Sequence, residues 1–172
     1  MSRRIVLVSG APGAGKTTVS VPLARDLGFP LITRDDMKET LGDALDLPSM
    51  DLAQSQLLGR AAMAVLWTVA ARCPSAVLDA PFRPRSPVER ERLESLDARF
   101  VEVHCSCSPA LAIERYNARA PHRHPVHVLQ VMTPEYLVQF EGTLGVGPVI
   151  EVNTEEAVDI ARLSCRVREL LA

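Results

Sequence analysis

Aromatic side chains are scarce in this chain. Phe, Tyr and Trp together make up 4% of its 172 residues, so any core it builds must be packed from aliphatic side chains. A surplus of basic charge is missing too: Lys and Arg total 19 against 21 Asp and Glu, a net charge of -2. That balance excludes an overall basic field of the kind that draws in nucleic acid, and leaves only local patches for anions. No apolar run is long enough for a bilayer. The most apolar stretch, 57–73, is interrupted by Arg60 and ends beside Arg72, short of the ~20 uninterrupted residues a span needs, and it reads as a core helix. The opening "MSRR" lacks the apolar region and small-residue cleavage site of a secretory signal, so the expected compartment is the cytoplasm. The four cysteines, Cys73, Cys105, Cys107 and Cys165, show no metal-ligand spacing and read as small hydrophobes.

What remains is organised as one unit. The length suits a single domain, residues 1–172, with a real core. Strand-length apolar runs at 5–9, 30–33, 76–80, 100–105 and 148–153 mostly lack polar alternation, the mark of a parallel sheet covered on both faces. Helical patterns fall between them at 16–27, 35–43, 51–72, 86–97, 109–119, 134–142 and 155–171. Alternation of the two predicts a doubly wound α/β fold with a parallel five-stranded sheet and helices on both faces. Pro22 interrupts the first helical pattern and predicts a kink there or a shorter helix.

Directly behind the first strand stands "GAPGAGKT", residues 10–17. Gly-x4-Gly-Lys-Thr between a strand and a helix is the setting of a phosphate-binding loop. Glycines let successive backbone N–H groups turn inward around an anion, and the helix that follows adds the positive end of its dipole. Gly10, Ala11, Pro12, Gly13, Ala14 and Gly15 are thus expected to cradle a nucleotide with Thr18 beside them. Lys16 is expected on the β- and γ-phosphates, and the Thr17 hydroxyl on Mg²⁺.

A phosphate loop implies a nucleotide but no reaction. In "ITRDDMKE", 32–39, two adjacent acids close the second strand, and ligands of doubly wound sheets bind outside the carboxyl ends of strands. Neighbouring helical residues point ~100° apart, so Asp35 and Asp36 divide two tasks: Asp35 is the candidate base and Asp36 the candidate helix cap. In "VLDAPFRPR", 77–85, Asp79 ends another strand, where an acid orients magnesium-bound water or a substrate hydroxyl; Arg83 and Arg85 follow as candidates for a substrate phosphate. In "IERYNARAPHRHPVH", 113–127, Arg115 and Arg119 share a helix face and Arg123 follows, the makings of a basic lid over about 119–132 that excludes water from the transferring phosphoryl group. His122, His124 and His127 are irregularly spaced and read as a pH-sensitive loop rather than a zinc site.

With these pieces in order, the chain resembles the P-loop kinases grouped with the bacteriophage polynucleotide kinase domain, zeta toxins and chloramphenicol phosphotransferase. The resemblance implies that Asp35 activates the attacking hydroxyl, that Arg119 is the lid arginine at the helix end, and that Asn153 and Thr154 in "VNT" lie near the nucleotide base. It matches Lys38 to a family arginine that follows Arg-Asp-Asp-x. A lysine there loses the bidentate fork that grips a nucleic-acid phosphate. The expectation is therefore a kinase using ATP or GTP with Mg²⁺, acting on a small hydroxylated acceptor, nucleoside-like or antibiotic, between the Asp35 helix and helix 51–72. Gln54, Gln56 and Arg60 are candidate polar contacts to that acceptor. A polynucleotide 5′-hydroxyl kinase is the second reading. A nucleotide-hydrolysing switch is the third, weakened because "VLDAP" offers one acid where such proteins carry two.

Overall fold

The computed structural model describes residues 2–47, 50–129 and 131–172. Five strands, β1 (Arg3–Ser9), β2 (Leu31–Thr33), β3 (Ser75–Asp79), β4 (Ala98–Ser106) and β5 (Val149–Asn153), form one sheet in the order β2-β3-β1-β4-β5. All four pairings are parallel. The helices are α1 (Lys16–Leu27), α2 (Arg34–Ala44), α3 (Leu52–Ala70), α4 (Pro87–Ser95), α5 (Pro109–Ala118), α6 (Pro134–Leu137) and α7 (Ile160–Leu171). The expected α/β sheet is present, and the central position of β1 explains its unbroken apolar run. Val6 and Val8 pack on one face with Val19 and Leu23 of α1 and Val167 of α7, while Ile5 and Leu7 pack on the other with Leu66 and Trp67 of α3 and Leu93 of α4. Both faces of a parallel strand are thereby withdrawn from water.

Two local expectations change, and one alternative is removed. The last helix begins at Ile160, not 155, because Asp159 caps it by accepting the Arg162 N–H at 2.9 Å. The pattern at 134–142 resolves into the single turn of α6 followed by a 3-10 turn, Val138–Phe140. Pro22 lies within α1, which runs to Leu27, so the shorter-helix alternative does not hold. Beneath the phosphate loop, fully buried Glu102 accepts from Ser9 Oγ at 2.5 Å and from the Leu144 N–H at 2.8 Å, so both carboxylate oxygens are satisfied and the 141–147 loop is tied to the sheet.

Candidate active site

Between β1 and β3 the chain changes direction across the sheet, and the crevice outside the carboxyl ends of β1, β2 and β3 is the place for a ligand in such a fold. A cleft of about 1380 Å³ opens there, lined by the phosphate loop, the first turn of α2, one side of α3, the residues after β3, and side chains from 116–129 and 132–139.

The loop at its base is held by contacts that only glycine permits. Gly10 has φ 127 and Gly13 has φ 87, and a Cβ on either would overlap the carbonyl oxygen of Cys105 or Ala112 respectively. The Ala14 N–H closes on the Ala11 carbonyl at 3.0 Å. Lys16 Nζ folds back over this turn, donating to the carbonyls of Gly10 at 2.9 Å and Ala11 at 3.0 Å. Burial pushes its pKa down, opposed by the charges of Asp79 and Asp35. Pro12, Gly13, Gly15, Lys16, Thr17 and Thr18 line the cleft, whereas Gly10, Ala11 and Ala14 form the wall behind.

Asp79, at the end of β3, is buried and accepts from Ser20 Oγ at 2.7 Å and Thr17 Oγ1 at 3.2 Å. Burial raises its pKa against the pull of Lys16. Thr17 and Asp79 together offer hard oxygen donors, the kind that suits Mg²⁺. Ser20 was not anticipated; it lies one turn beyond Thr17 on the helix face that meets β3, which is the signal that could have found it.

On the opposite side, Thr33 ends β2 and caps α2, its Oγ1 accepting the Asp36 N–H at 3.0 Å. The cap is therefore Thr33 and not Asp36, which occupies the third helical position. Asp35, in the same turn, is 59% exposed and bonds Arg34 Nη1 at 2.7 Å. Desolvation in the cleft raises its pKa, but Arg34, His127 and Lys16 outweigh this and hold the carboxyl below its usual range. Lys38 lies deeper, with Nζ donating to Ser55 Oγ at 2.7 Å and the Val126 carbonyl at 2.8 Å.

The lid arginines are separated by the fold. Arg119 is exposed at the cleft, its Nε on the Arg115 carbonyl at 3.1 Å. Arg123 also faces the cleft, stacked 3.6 Å from the Tyr116 ring and bonded to the Leu129 carbonyl and that of Tyr116. Arg115 instead turns to Thr154, donating to its carbonyl at 3.1 Å, and the Thr154 hydroxyl donates to the Ala14 carbonyl at 2.9 Å. Arg115 and Thr154 thus brace the loop from behind, and Asn153 accepts the Glu155 N–H at 2.9 Å beside them. His124 and His127 pair with Asp43 at 3.0 Å and Glu39 at 2.9 Å on α2. The expected lid range includes Gln130, which lies outside the described residues.

Of the remaining candidates, Gln56, Arg60 and Arg83 line the cleft. Gln54 does not: its Oε1 accepts the Asp51 N–H at 2.9 Å and completes the capping box of α3. Arg85 is exposed 3.8 Å from Glu141 and does not line the cleft.

A family model described as an AAA domain matches residues 5–136. No curated protein matches the sequence significantly. Among solved structures, the chain is similar to a protein described as a candidate kinase from Chloroflexus aurantiacus J-10-fl, at 26% identity over 100% of both chains with a TM-score of 0.86. It is similar in fold to shikimate kinase from Acinetobacter baumannii in complex with shikimate, at 20% identity over 99% of this chain and 93% of that one with a TM-score of 0.63. It is likewise similar in fold to Kti12 from Chaetomium thermophilum in complex with ADP-AlF3, at 15% identity over 98% and 99% with a TM-score of 0.65. With the family match spanning most of its length and the phosphate loop in place, the chain belongs to the AAA domain family and has the fold of the nucleotide-binding P-loop kinases.

Proposed function

We propose that this protein is an ATP- and Mg²⁺-dependent phosphotransferase that moves the γ-phosphoryl group to a hydroxyl of a small molecule. The observation that carries the reading is one cleft lined by both the Lys16 loop and Asp35, close enough that their charges shift each other's pKa. In this reading Asp35 accepts the proton of the acceptor hydroxyl. The hydroxyl oxygen forms a bond to the γ-phosphorus as the bond from that phosphorus to the β–γ bridging oxygen breaks, and ADP leaves with the charge that Lys16 and Arg119 offset. Thr17 and Asp79 would hold Mg²⁺, which when bound neutralises phosphate charge. Arg123 adds to the cation set over the phosphates, and Arg115, Asn153 and Thr154 support the nucleotide side of the loop. Lys38, Arg60, Arg83 and Gln56 border the acceptor space between α2 and α3.

The finer kinship, with the polynucleotide kinase, zeta toxin and chloramphenicol phosphotransferase group, rests on the Arg-Asp-Asp segment and the arginines at the end of α5. A polynucleotide 5′-hydroxyl acceptor is less favoured because the Lys38 ammonium, the counterpart of a residue that would grip a nucleic-acid phosphate, is spent on Ser55 and Val126.

The test is transfer from γ-labelled ATP with Mg²⁺ to small hydroxylated compounds and to 5′-hydroxyl oligonucleotides. Asp35→Asn is expected to leave ATP affinity nearly unchanged and to lower turnover at least ~100-fold. Label on oligonucleotides alone would replace the small acceptor with a polynucleotide, and hydrolysis that no hydroxyl compound diverts would favour a switch protein.

A further inference from the structure

Arg34 is in an unresolved position chemically. Its side chain is 19% exposed, and its Nε is the sole buried side-chain nitrogen or oxygen among the described residues without a hydrogen bond. Nη1 serves Asp35, and Nη2 makes no hydrogen bond among those residues but lies against Gly59 of α3, where any Cβ would overlap it. Glycine is a poor residue for the middle of a 19-residue helix; here it leaves the notch that admits the guanidinium. Only one edge of a five-donor fork is used, and the group it serves is the carboxylate that must be free to take a proton. A buried guanidinium nitrogen without a partner is costly, and a planar fork finds its best match in a second oxyanion.

We propose that the acceptor carries its own oxyanion, a carboxylate or phosphate near the reactive hydroxyl, and that Arg34 binds it, leaving Asp35 to accept the proton. This rests on the kinase reading above and names its substrate class. The phosphoryl transfer itself is unchanged; the acceptor's anion takes up guanidinium donors left unused and displaces Asp35 from Nη1. Arg60, next to Gly59 and lining the same cleft, adds positive charge on that side.

The experiment compares matched pairs as acceptors at saturating ATP and Mg²⁺: shikimate with methyl shikimate, glycerate with methyl glycerate, glycerol phosphate with glycerol. At least one anionic member is expected to exceed its neutral counterpart in kcat/KM by about 10- to 100-fold, the worth of hydrogen bonds to a charged group. The acid and phosphate arms separate the two sources of the anion. Arg34→Gln should raise the acceptor KM by a similar factor with the KM for ATP unchanged, Arg34→Lys should retain part of the preference, and Gly59→Ala, which favours the helix, should raise the acceptor KM by displacing the guanidinium. The gap between the acid limbs of kcat and kcat/KM supplies a readout that an arginine held to Asp35 throughout would not move. Asp35 is faced by Arg34 and Lys38 on its own helix, His127 on the 124–128 segment, Tyr116 on α5, Lys16 on the loop and Asp79 on β3. In the wild type the acid limb of kcat should lie at higher pH than that of kcat/KM, and in Arg34→Gln the two should draw together. Equal use of neutral and anionic members, unaltered by Arg34→Gln, would overturn the anion assignment and leave the kinase standing. ATP hydrolysis with transfer to no compound of any kind would remove both.

Discussion

At the junction of α2, α3 and the 124–128 segment, Lys38 is 3% exposed and has no carboxylate within salt-bridge distance among the described residues. Burial, joined by the repulsion of Arg34, lowers its pKa from 10.5 to about 8. The unfolded chain therefore holds this proton to higher pH than the folded one, so wild-type stability rises between about pH 8 and 10.5 and carries the full penalty below that window. Lys38→Met should remove the penalty and stabilise the protein at pH 7 by ~1–3 kcal/mol, a gain that fades as pH climbs through the window. The Val126 carbonyl keeps a partner in the variant, since Ser55 Oγ also donates to it at 2.6 Å. Urea midpoints of the two proteins at neutral and alkaline pH would check this. The sequence marked Lys38 as a basic residue one turn from Asp35, but not that its charge would be spent on α3 and the lid segment, because those partners lie 17 and 88 residues away.

Among the elements, α2 best shows how local signals compete. Asp36 is the cap expected from the sequence, yet Thr33, three residues earlier, takes the role, and the outcome depends on where β2 stops pairing. Because Thr33 still pairs with Asp79 of β3, its backbone is extended at φ -108 and ψ 136, the conformation of a cap residue. Asp36 is then already helical. Thr33→Ala should cost ~1 kcal/mol of stability through the freed Asp36 N–H. Since Asp35 belongs to that turn, the variant should also lose more in kcat than in the KM for ATP, which thermal melts and steady-state kinetics would separate. The α3 helix teaches the complementary lesson: Gly59 looks like a blemish in its hydrophobic pattern until the Arg34 guanidinium is seen lying against it.

For the whole molecule, a nucleotide bound as proposed, across the loop, α1 and the lid arginines, would bind only the folded chain. ATP with Mg²⁺ at about 100 times its Kd should add ~2.7 kcal/mol, which for a domain of this size raises Tm by roughly 5–10 °C. Lys16→Ala should abolish most of that shift, as a melting curve with and without nucleotide would show; an unaltered shift would place the nucleotide elsewhere. The alternation of apolar strands with helical periods and the glycine-lysine-threonine spacing of the phosphate loop were determined by the sequence alone, since both depend on contacts within a few residues and on backbone freedom at particular glycines. Which charges share a cleft was decided by the tertiary structure. Asp35 and Lys16 line it together, Arg115 and Thr154 turn behind the loop, Gln54 closes a cap, and Arg34 is left with a nitrogen unpartnered among the described residues. Each of those outcomes depends on where strand ends and helix faces meet across the sheet, and on how much water is excluded there, neither of which is encoded in any short stretch of chain.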